Sequence, residues 1–267
     1  MNKESRLQEA YLSRLEKQRR KIMAARILLA LAFFLLWETA ADRGWIDSFF
    51  FSSPSRLGRL FLSMWRDGSL FLHVGITLTE TLVSFALVVV IGLAVSLLLW
   101  LSDSVFQVLE PYLVILNSLP KSALAQLLIV WLGANSRTII VAGMSVAIFG
   151  TILNLYTGFT ETSREKIRLI YTLHGTKKDA LTKVVLPSTV PMIISIMKVN
   201  IGLCLVGVVI GEFIGARNGL GYLIIYGSQV FQLDLVILSI LILCLMAMLL
   251  YGGVTAAEKL YHRRQHA

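Results

Sequence analysis

The sequence predicts an all-α integral membrane protein with six transmembrane helices, a cytoplasmic N-terminal helix and a structured polar loop on the same side. Three observations predict it. Of 267 residues, 56% are hydrophobic and 15% charged, whereas a soluble domain carries about 25% charged residues. Residues 81–102, 138–160 and 235–257 each lack any charge over the roughly 20 residues that cross a bilayer as helix. No alternating pattern of barrel strands recurs, and lipid tolerates only backbone whose polar groups are paired within the segment.

The elements follow in order. Residues 1–23 are too long and too charged for the leading region of a signal peptide and read as a cytoplasmic amphipathic segment. The first span, 24–41, contains Arg26 and Glu38. In the stretch to residue 73, Trp45, Phe49, Phe50 and Phe51 suit a membrane-interface belt. Residues 55–67 have helical spacing, with Leu57, Leu60, Phe61 and Met64 on one side; such a helix lies flat on the outer face or packs on the bundle. The second span, 81–102, follows Glu80. The third, 111–136, carries Lys121 after a mid-span Leu119-Pro120. The fourth is 138–160. The fifth, 188–211, carries Lys198 and ends beside Glu212. The sixth is 235–257. The expected organisation is therefore a cytoplasmic N-terminal segment (1–23), a first helix with outer amphipathic segment (24–73), a transmembrane domain (74–258) and a cytoplasmic tail (259–267).

Orientation follows from the basic residues, which concentrate in cytoplasmic loops. Lys3, Arg6, Arg14, Lys17, Arg19, Arg20, Lys21 and Arg26 precede or open the first span. Arg164, Lys166, Arg168, Lys177, Lys178 and Lys183 fill the loop between spans four and five. Lys259, Arg263 and Arg264 end the chain. Arg43, Arg56, Arg59, Arg66, Arg137 and Arg217 fall on the other side. This places both termini and the loop of 160–187 inside a plasma or inner membrane. It also accounts for the net charge of +9 without a nucleic-acid partner.

Several chemistries are excluded. The chain has no G-x-x-x-x-G-K-[ST] loop and no Gly-Lys dipeptide, so it lacks the usual means of holding ATP. It has no H-E-x-x-H and no Cys/His cluster with metal spacing. His73, His174, His262 and His266 are scattered. Cys204 and Cys244 sit in apolar runs as small core residues. No catalytic residue, cofactor or metal is expected. Ionisable residues inside spans are functional candidates, because burying them is expensive. Pro120 frees a backbone carbonyl and kinks its helix; the Lys121 ammonium either bonds that carbonyl or faces a pathway for an anion. Lys198 either snorkels toward the cytoplasmic face or pairs inside the bundle. No chain of acidic groups is visible, which argues against an ion-coupled carrier.

The loop carries the positive signal. Residues 161–173 have helical spacing, with Ile167, Leu169 and Ile170 among basic residues. His174-Gly175 breaks the helix, glycine suiting a left-handed turn. Thr176 can cap the next helix, expected over 179–185 with Ala180, Leu181 and Val184 as its apolar face. Leu186-Pro187 then starts the fifth span, proline being welcome in a first turn. A short projecting helix, apolar on one side and basic around it, suits docking into a groove on another protein.

These residues resemble the "EAA" loop of membrane permease subunits of bacterial ABC importers. That pattern runs Glu-Ala-Ala, three residues, Gly, a spacer, then hydrophobic-x-Leu-Pro. Matching it are Thr172-Leu173, His174-Gly175-Thr176 and Val184-Val185-Leu186-Pro187. The Glu-Ala-Ala is replaced by residues of 168–171, and counting from Leu-Pro puts the pattern's glycine on His174, with Gly175 one position later. Pro111-Tyr112-Leu113, Ser118-Leu119-Pro120-Lys121 and Ile129-Val130-Trp131-Leu132-Gly133 resemble the third span of the nitrate/sulfonate/taurine branch. Gly211-Glu212-Phe213-Ile214-Gly215-Ala216 and Gly219-Leu220-Gly221-Tyr222-Leu223-Ile224 are similar to the segment after that branch's fifth span.

The resemblance implies a type I ABC importer permease fold. It implies a homodimer of permeases, cytoplasmic ABC ATPase subunits and an extracytoplasmic substrate-binding protein. The ATPase-coupling loop would comprise Leu173, His174, Gly175, Thr176, Lys177, Asp179, Ala180, Leu181, Leu186 and Pro187. Pro120, Lys121 and Lys198 are candidate pathway residues, and with the branch they lean toward a small anionic solute such as a sulfonate, taurine or nitrate, or else a vitamin precursor. The competing readings are a secondary transporter or channel acting without an ATPase, and a membrane scaffold.

Overall fold

The computed structural model describes residues 3–265, with side chains at 18 and over 20–259. Residues 1, 2, 266 and 267 of the expected terminal segments lie outside the described residues, as do the remaining side chains of both ends. Every regular element among the described residues is helical. The chain divides into two compact units between Ser63 and Met64.

In the first unit, α1 (Lys3–Asp42) runs from the charged N-terminal segment straight into the first span. Its apolar stretch, Arg20–Asp42, is long enough to cross a bilayer. A single turn, α2 (Ser48–Phe51), follows. Helix α3 (Pro54–Arg66) realises the expected amphipathic segment and crosses the unit boundary. Local hydrogen bonds tie these pieces together. Asp47 Oδ1 accepts from Phe49 N at 2.8 Å, Glu38 Oε2 accepts from Ser55 N at 3.0 Å, and Trp37 Nε1 donates to the Phe51 carbonyl at 3.2 Å. Both carboxylates thus meet orphan N–H groups at helix starts.

The second unit is built on α4 (Ser69–Leu101), α7 (Ser136–Thr160) and α10 (Leu186–Gly215). Before α4, the Ser69 N–H and hydroxyl both donate to Asp67, holding that carboxyl below the usual carboxylate range. Helices α4 and α7 run parallel. The hydroxyl of Ser84 donates to the carbonyls of Glu80 and Ile140, that of Ser96 to those of Gly92 and Ile152. Helix α10 returns antiparallel. A Cβ on Gly207 would lie 2.8 Å from the Gly143 Cα, so the two helices touch backbone to backbone there. Small residues and hydroxyl bridges are how membrane helices pack without a hydrophobic drive between them.

The third expected span is broken. Helix α5 (Asp103–Ser118) and α6 (Lys121–Leu132) meet at 95° around Leu119-Pro120. Phe106 on α5 stacks on Tyr156 near the end of α7, whereas Ile129 on α6 meets Gly215 at the end of α10. The pair therefore crosses the bundle from end to end and counts as one span. With Arg20–Asp42, Ser69–Leu101, Ser136–Thr160, Lys177–Gly215 and Leu233–Lys259, the membrane-capable segments among the described residues number six on this count.

Two boundaries differ from expectation. The second span begins at Ser69, because His73 and Thr77 are hydrogen-bonded inside the bundle. The expected separate helix over 179–185 is α9 (Lys177–Ala180) joined by a π-helical turn (Leu181–Val185) to α10, so one continuous rod runs from the loop into the fifth span. The fold closes with α11 (Leu220–Gln229) and α12 (Leu233–Gln265).

Candidate functional site

The loop is a rigid corner. Helix α8 (Arg164–Thr172) ends in a Schellman motif: Gly175 N donates to the Ile170 carbonyl at 2.8 Å and His174 N to the Tyr171 carbonyl at 3.0 Å. The left-handed residue of that motif is His174, at φ 59°, and not Gly175. The register counted back from Leu186-Pro187 therefore lands on the residue whose conformation favours glycine. Gly175 is small for a different reason: a Cβ there would lie 2.5 Å from Ile170 Cγ2 and 2.9 Å from the Ile170 carbonyl oxygen.

Thr176 caps α9 through a reciprocal box. Asp179 N donates to Thr176 Oγ1 at 3.3 Å, and Thr176 N donates to Asp179 Oδ2 at 2.9 Å. Asp179 also pairs with Lys183, at 2.9 Å. Of the apolar face read for docking, Ala180 and Leu181 are turned inward. They and Val185 pack with Trp100, Leu155 and Phe159, flanked by Ile167, Ile170 and Leu186. Lys177 lies over the Trp100 ring, 5.4 Å from its centre. Pro187 is exposed in the first turn of α10. The apolar groups that the corner leaves exposed are Leu169, Tyr171 and Leu173, the last 70% exposed. Leu173 was expected in the coupling loop, whereas Leu169 and Tyr171 were not; the four-residue spacing of Leu169 from Leu173 was the available signal for the first.

The intramembrane lysines are both engaged. Lys121 Nζ donates to the Leu116 carbonyl at 3.2 Å. That carbonyl is the one Pro120, lacking an N–H, leaves unpaired. The same ammonium lies 5.7 Å from the centre of the Phe149 ring. Lys198 forms an ion pair with Glu258 on α12, both side chains about one-fifth exposed. Pairing, not snorkelling, is its arrangement.

Between α5, α7 and α10 lies a cavity of about 310 Å³ lined by Asn117, Gly150, Thr151, Asn154, Ser195 and Asn200 among apolar neighbours. Asn200 Nδ2 donates to Thr151 Oγ1 at 2.8 Å. Sequence reading passed over these residues, since single amides in an apolar run do not announce a shared face until the helices are paired.

At the end of the bundle remote from the loop, the start of α11 is capped from two other helices. Gly219 N donates to His73 Nδ1 at 3.0 Å, Leu220 N to Thr77 Oγ1 at 2.8 Å and Gly221 N to Glu212 Oε2 at 2.6 Å. His73 therefore carries its proton on Nε2. Glu80 neighbours Glu212. Both of its carboxylate oxygens are buried without a hydrogen bond, beside a cavity of about 180 Å³ that Ser136, Arg217 and Asn218 help to line. Residues 73 and 77 were invisible as partners because the groups they cap lie more than a hundred residues along the chain.

Comparison with known proteins supplies the context. Residues 88–265 match the family described as binding-protein-dependent transport system inner membrane component. A probable ABC transporter permease of Haemophilus influenzae is 29% identical, the match covering 89% of this chain and 95% of that protein. A formylaminopyrimidine transport permease of Halalkalibacterium halodurans is 27% identical over 87% of this chain and 92% of its own length. A taurine transport system permease of Escherichia coli is 24% identical over 84% and 83%. In fold, the chain is similar to one in the inward-facing MetNI methionine ABC transporter, with a TM-score of 0.61 at 20% identity, covering 69% of this chain and 92% of that one.

Proposed function

This chain belongs to the binding-protein-dependent transport system inner membrane component family, in its nitrate/sulfonate/taurine branch, and on that premise we propose that it forms the translocation pathway of an ATP-driven importer for a small polar solute. It is a multi-pass membrane transport permease and not an enzyme. Two copies pair across the membrane, two cytoplasmic ABC ATPases dock beneath them, and an extracytoplasmic binding protein delivers the solute. The charge asymmetry supports placing both termini and the corner around His174 in the cytoplasm.

One observation carries the reading: the corner exposes Leu169, Tyr171 and Leu173 while its other face is locked into the bundle core. Exposed apolar groups beside basic side chains suit a groove on another protein. The continuous rod from Lys177 to Gly215 gives the docked partner a stiff lever into the membrane. Closure of the ATPases on ATP would move this lever and switch the pathway between outward and inward access.

Lys121, Lys198 and the branch membership together lean toward an anionic solute, with a vitamin precursor as the other class. Both ammonium groups are already held by a carbonyl and a carboxylate, which weakens that argument. Relatives bear the names of permeases for aliphatic sulfonates and for a formylaminopyrimidine, so an anionic and an uncharged class both stand as candidates. The test is co-purification of the chain with an ABC ATPase from its own cell, followed by uptake in liposomes with and without ATP. Uptake by the chain alone without ATP would instead favour a secondary carrier or channel.

A further inference from the structure

We infer that the cavity between α5, α7 and α10 is the solute-binding site within the membrane, and that it selects an uncharged solute with amide-like edges over an anion. This rests on the chain being the pathway-forming permease. Asn117 and Asn154 are exposed on helices whose neighbours are apolar. Asn154 sits six residues before the end of a 25-residue helix, about 9 Å inside it at 1.5 Å per residue. A carboxamide at that depth facing hydrocarbon would strand one acceptor and two donors. Facing its neighbours across a cavity, it has polar company instead.

The chemistry of the lining is specific. Among the described residues, Asn117, Asn154 and Ser195 have no hydrogen-bond partner, and Asn200 uses one of its N–H groups on Thr151 and keeps its carbonyl open. These groups present donors and acceptors side by side. An anion only accepts, so it would satisfy the N–H groups and leave three amide oxygens facing its negative charge. A solute that carries N–H beside C=O or a ring nitrogen satisfies both. The lining holds no charged side chain. The two cations nearest in sequence, Lys121 and Lys198, are engaged elsewhere, and the guanidinium groups of Arg137 and Arg217 line recesses at the end of the bundle remote from the loop. A site of this kind recognises by paired hydrogen bonds and rejects by leaving polar groups unmatched.

The experiment uses the full permease assembled with its ATPase and binding protein, reconstituted in liposomes with radiolabelled formylaminopyrimidine and ethanesulfonate as probes. The expected result is ATP-dependent uptake of the pyrimidine and none of the sulfonate anion. Asn154→Leu is expected to cut that uptake about tenfold, the loss of one buried hydrogen-bonded pair, while the ATPase still co-purifies. Ser195→Ala is expected to cut it by a smaller factor and serves as the second variant if Asn154→Leu fails to fold. Ethanesulfonate entering in place of the pyrimidine, neither probe entering an assembled ATP-hydrolysing complex, or unchanged uptake in both variants overturns the inference. Failure of the ATPase to co-purify, or uptake of either probe without ATP, overturns the permease reading itself.

Discussion

Thr77 on α4 and Glu212 on α10, 135 residues apart in sequence, share a hydrogen bond of 2.6 Å. The same hydroxyl receives Leu220 N–H, and the other Glu212 oxygen receives Gly221 N–H. A carboxylate at a helix start satisfies orphan donors and meets the positive end of the helix dipole. Glu212→Ala should therefore destabilise the protein by on the order of 2–4 kcal/mol, since two buried donors lose their acceptor. Thr77→Val should cost about 1–2 kcal/mol, and the double variant less than the sum. Unfolding in detergent micelles would measure all three; full additivity would show that the two side chains act separately.

The contact between Gly143 and Gly207 predicts a sharp contrast with a neighbour on the same helix. A Cβ on Gly207 meets the Gly143 Cα at 2.8 Å and its carbonyl at 3.0 Å, whereas one on Gly202 meets nothing within 4 Å. Backbone cannot rotate away, so Gly207→Ala must push α10 from α7, at a cost of about 1–3 kcal/mol typical of overpacking. Gly202→Ala should be neutral or slightly stabilising, because alanine favours helix by about 1 kcal/mol over glycine. Equal melting of the two variants would remove the close approach as a packing device.

The spans were legible wherever burial and hydropathy coincide, as in α7, because a run without charge has no other stable place. Legibility failed where polar residues are satisfied at long range. His73, Thr77 and Glu80 extend α4 well before the apolar run, and their partners or neighbours lie on α10 and α11. The bend at Pro120 was visible from its missing N–H, but its 95° size was not. In the loop, the glycine letter in the sequence suggested a left-handed residue at 175. The hydrogen-bond pattern puts that residue at 174, and only backbone geometry distinguishes the two. The inward turn of Ala180 and Leu181 was hidden for a similar reason: the pattern shows an apolar face but not which protein covers it.

Lys198 and Glu258 pair between α10 and α12, with about one-fifth of each side chain exposed. If Lys198 attracts an anionic solute, Lys198→Met should lower uptake and nothing else. If it is a strut, the same variant should destabilise by about 1–3 kcal/mol, less than a fully buried pair because water reaches it. The second outcome is expected, with recovery in the Lys198→Glu/Glu258→Lys exchange. Failure of the exchange to restore stability, with uptake lost in both, would return Lys198 to the pathway.

His174 holds the left-handed position at φ 59°. An L-residue there costs about 1–2 kcal/mol relative to an unstrained backbone, a cost glycine does not bear. His174→Gly should thus raise stability by up to about 1 kcal/mol, offset by the greater freedom of glycine in the unfolded chain. Gly175→Val should do the reverse, because its Cβ meets the Ile170 carbonyl. Circular dichroism melts of the two variants in the same detergent would show opposite shifts; a destabilised His174→Gly would mean the imidazole makes a contact that outweighs the strain.

Leu173 and Ala180 were both assigned to the docking loop, and the fold separates them. Leu173 is 70% exposed and Ala180 is fully buried against the cluster that contains Trp100 and Phe159. Ala180→Glu inserts an unpaired charge into that cluster, a change of about 3–5 kcal/mol that should abolish folding and with it every downstream measurement. Leu173→Glu inserts the same charge into water, so melting should stay within about 0.5 kcal/mol of the parent. If Leu173 is an anchor in a groove on the ATPase, its loss removes one of the few contacts that dominate such interfaces, worth about 2 kcal/mol or more. A folded Leu173→Glu permease should then bind the ATPase roughly thirtyfold more weakly, the equivalent of that loss, and show neither transport nor solute-stimulated hydrolysis. A Leu173→Glu variant that folds, retains the ATPase and still transports would show that the partner reads a different face of the corner.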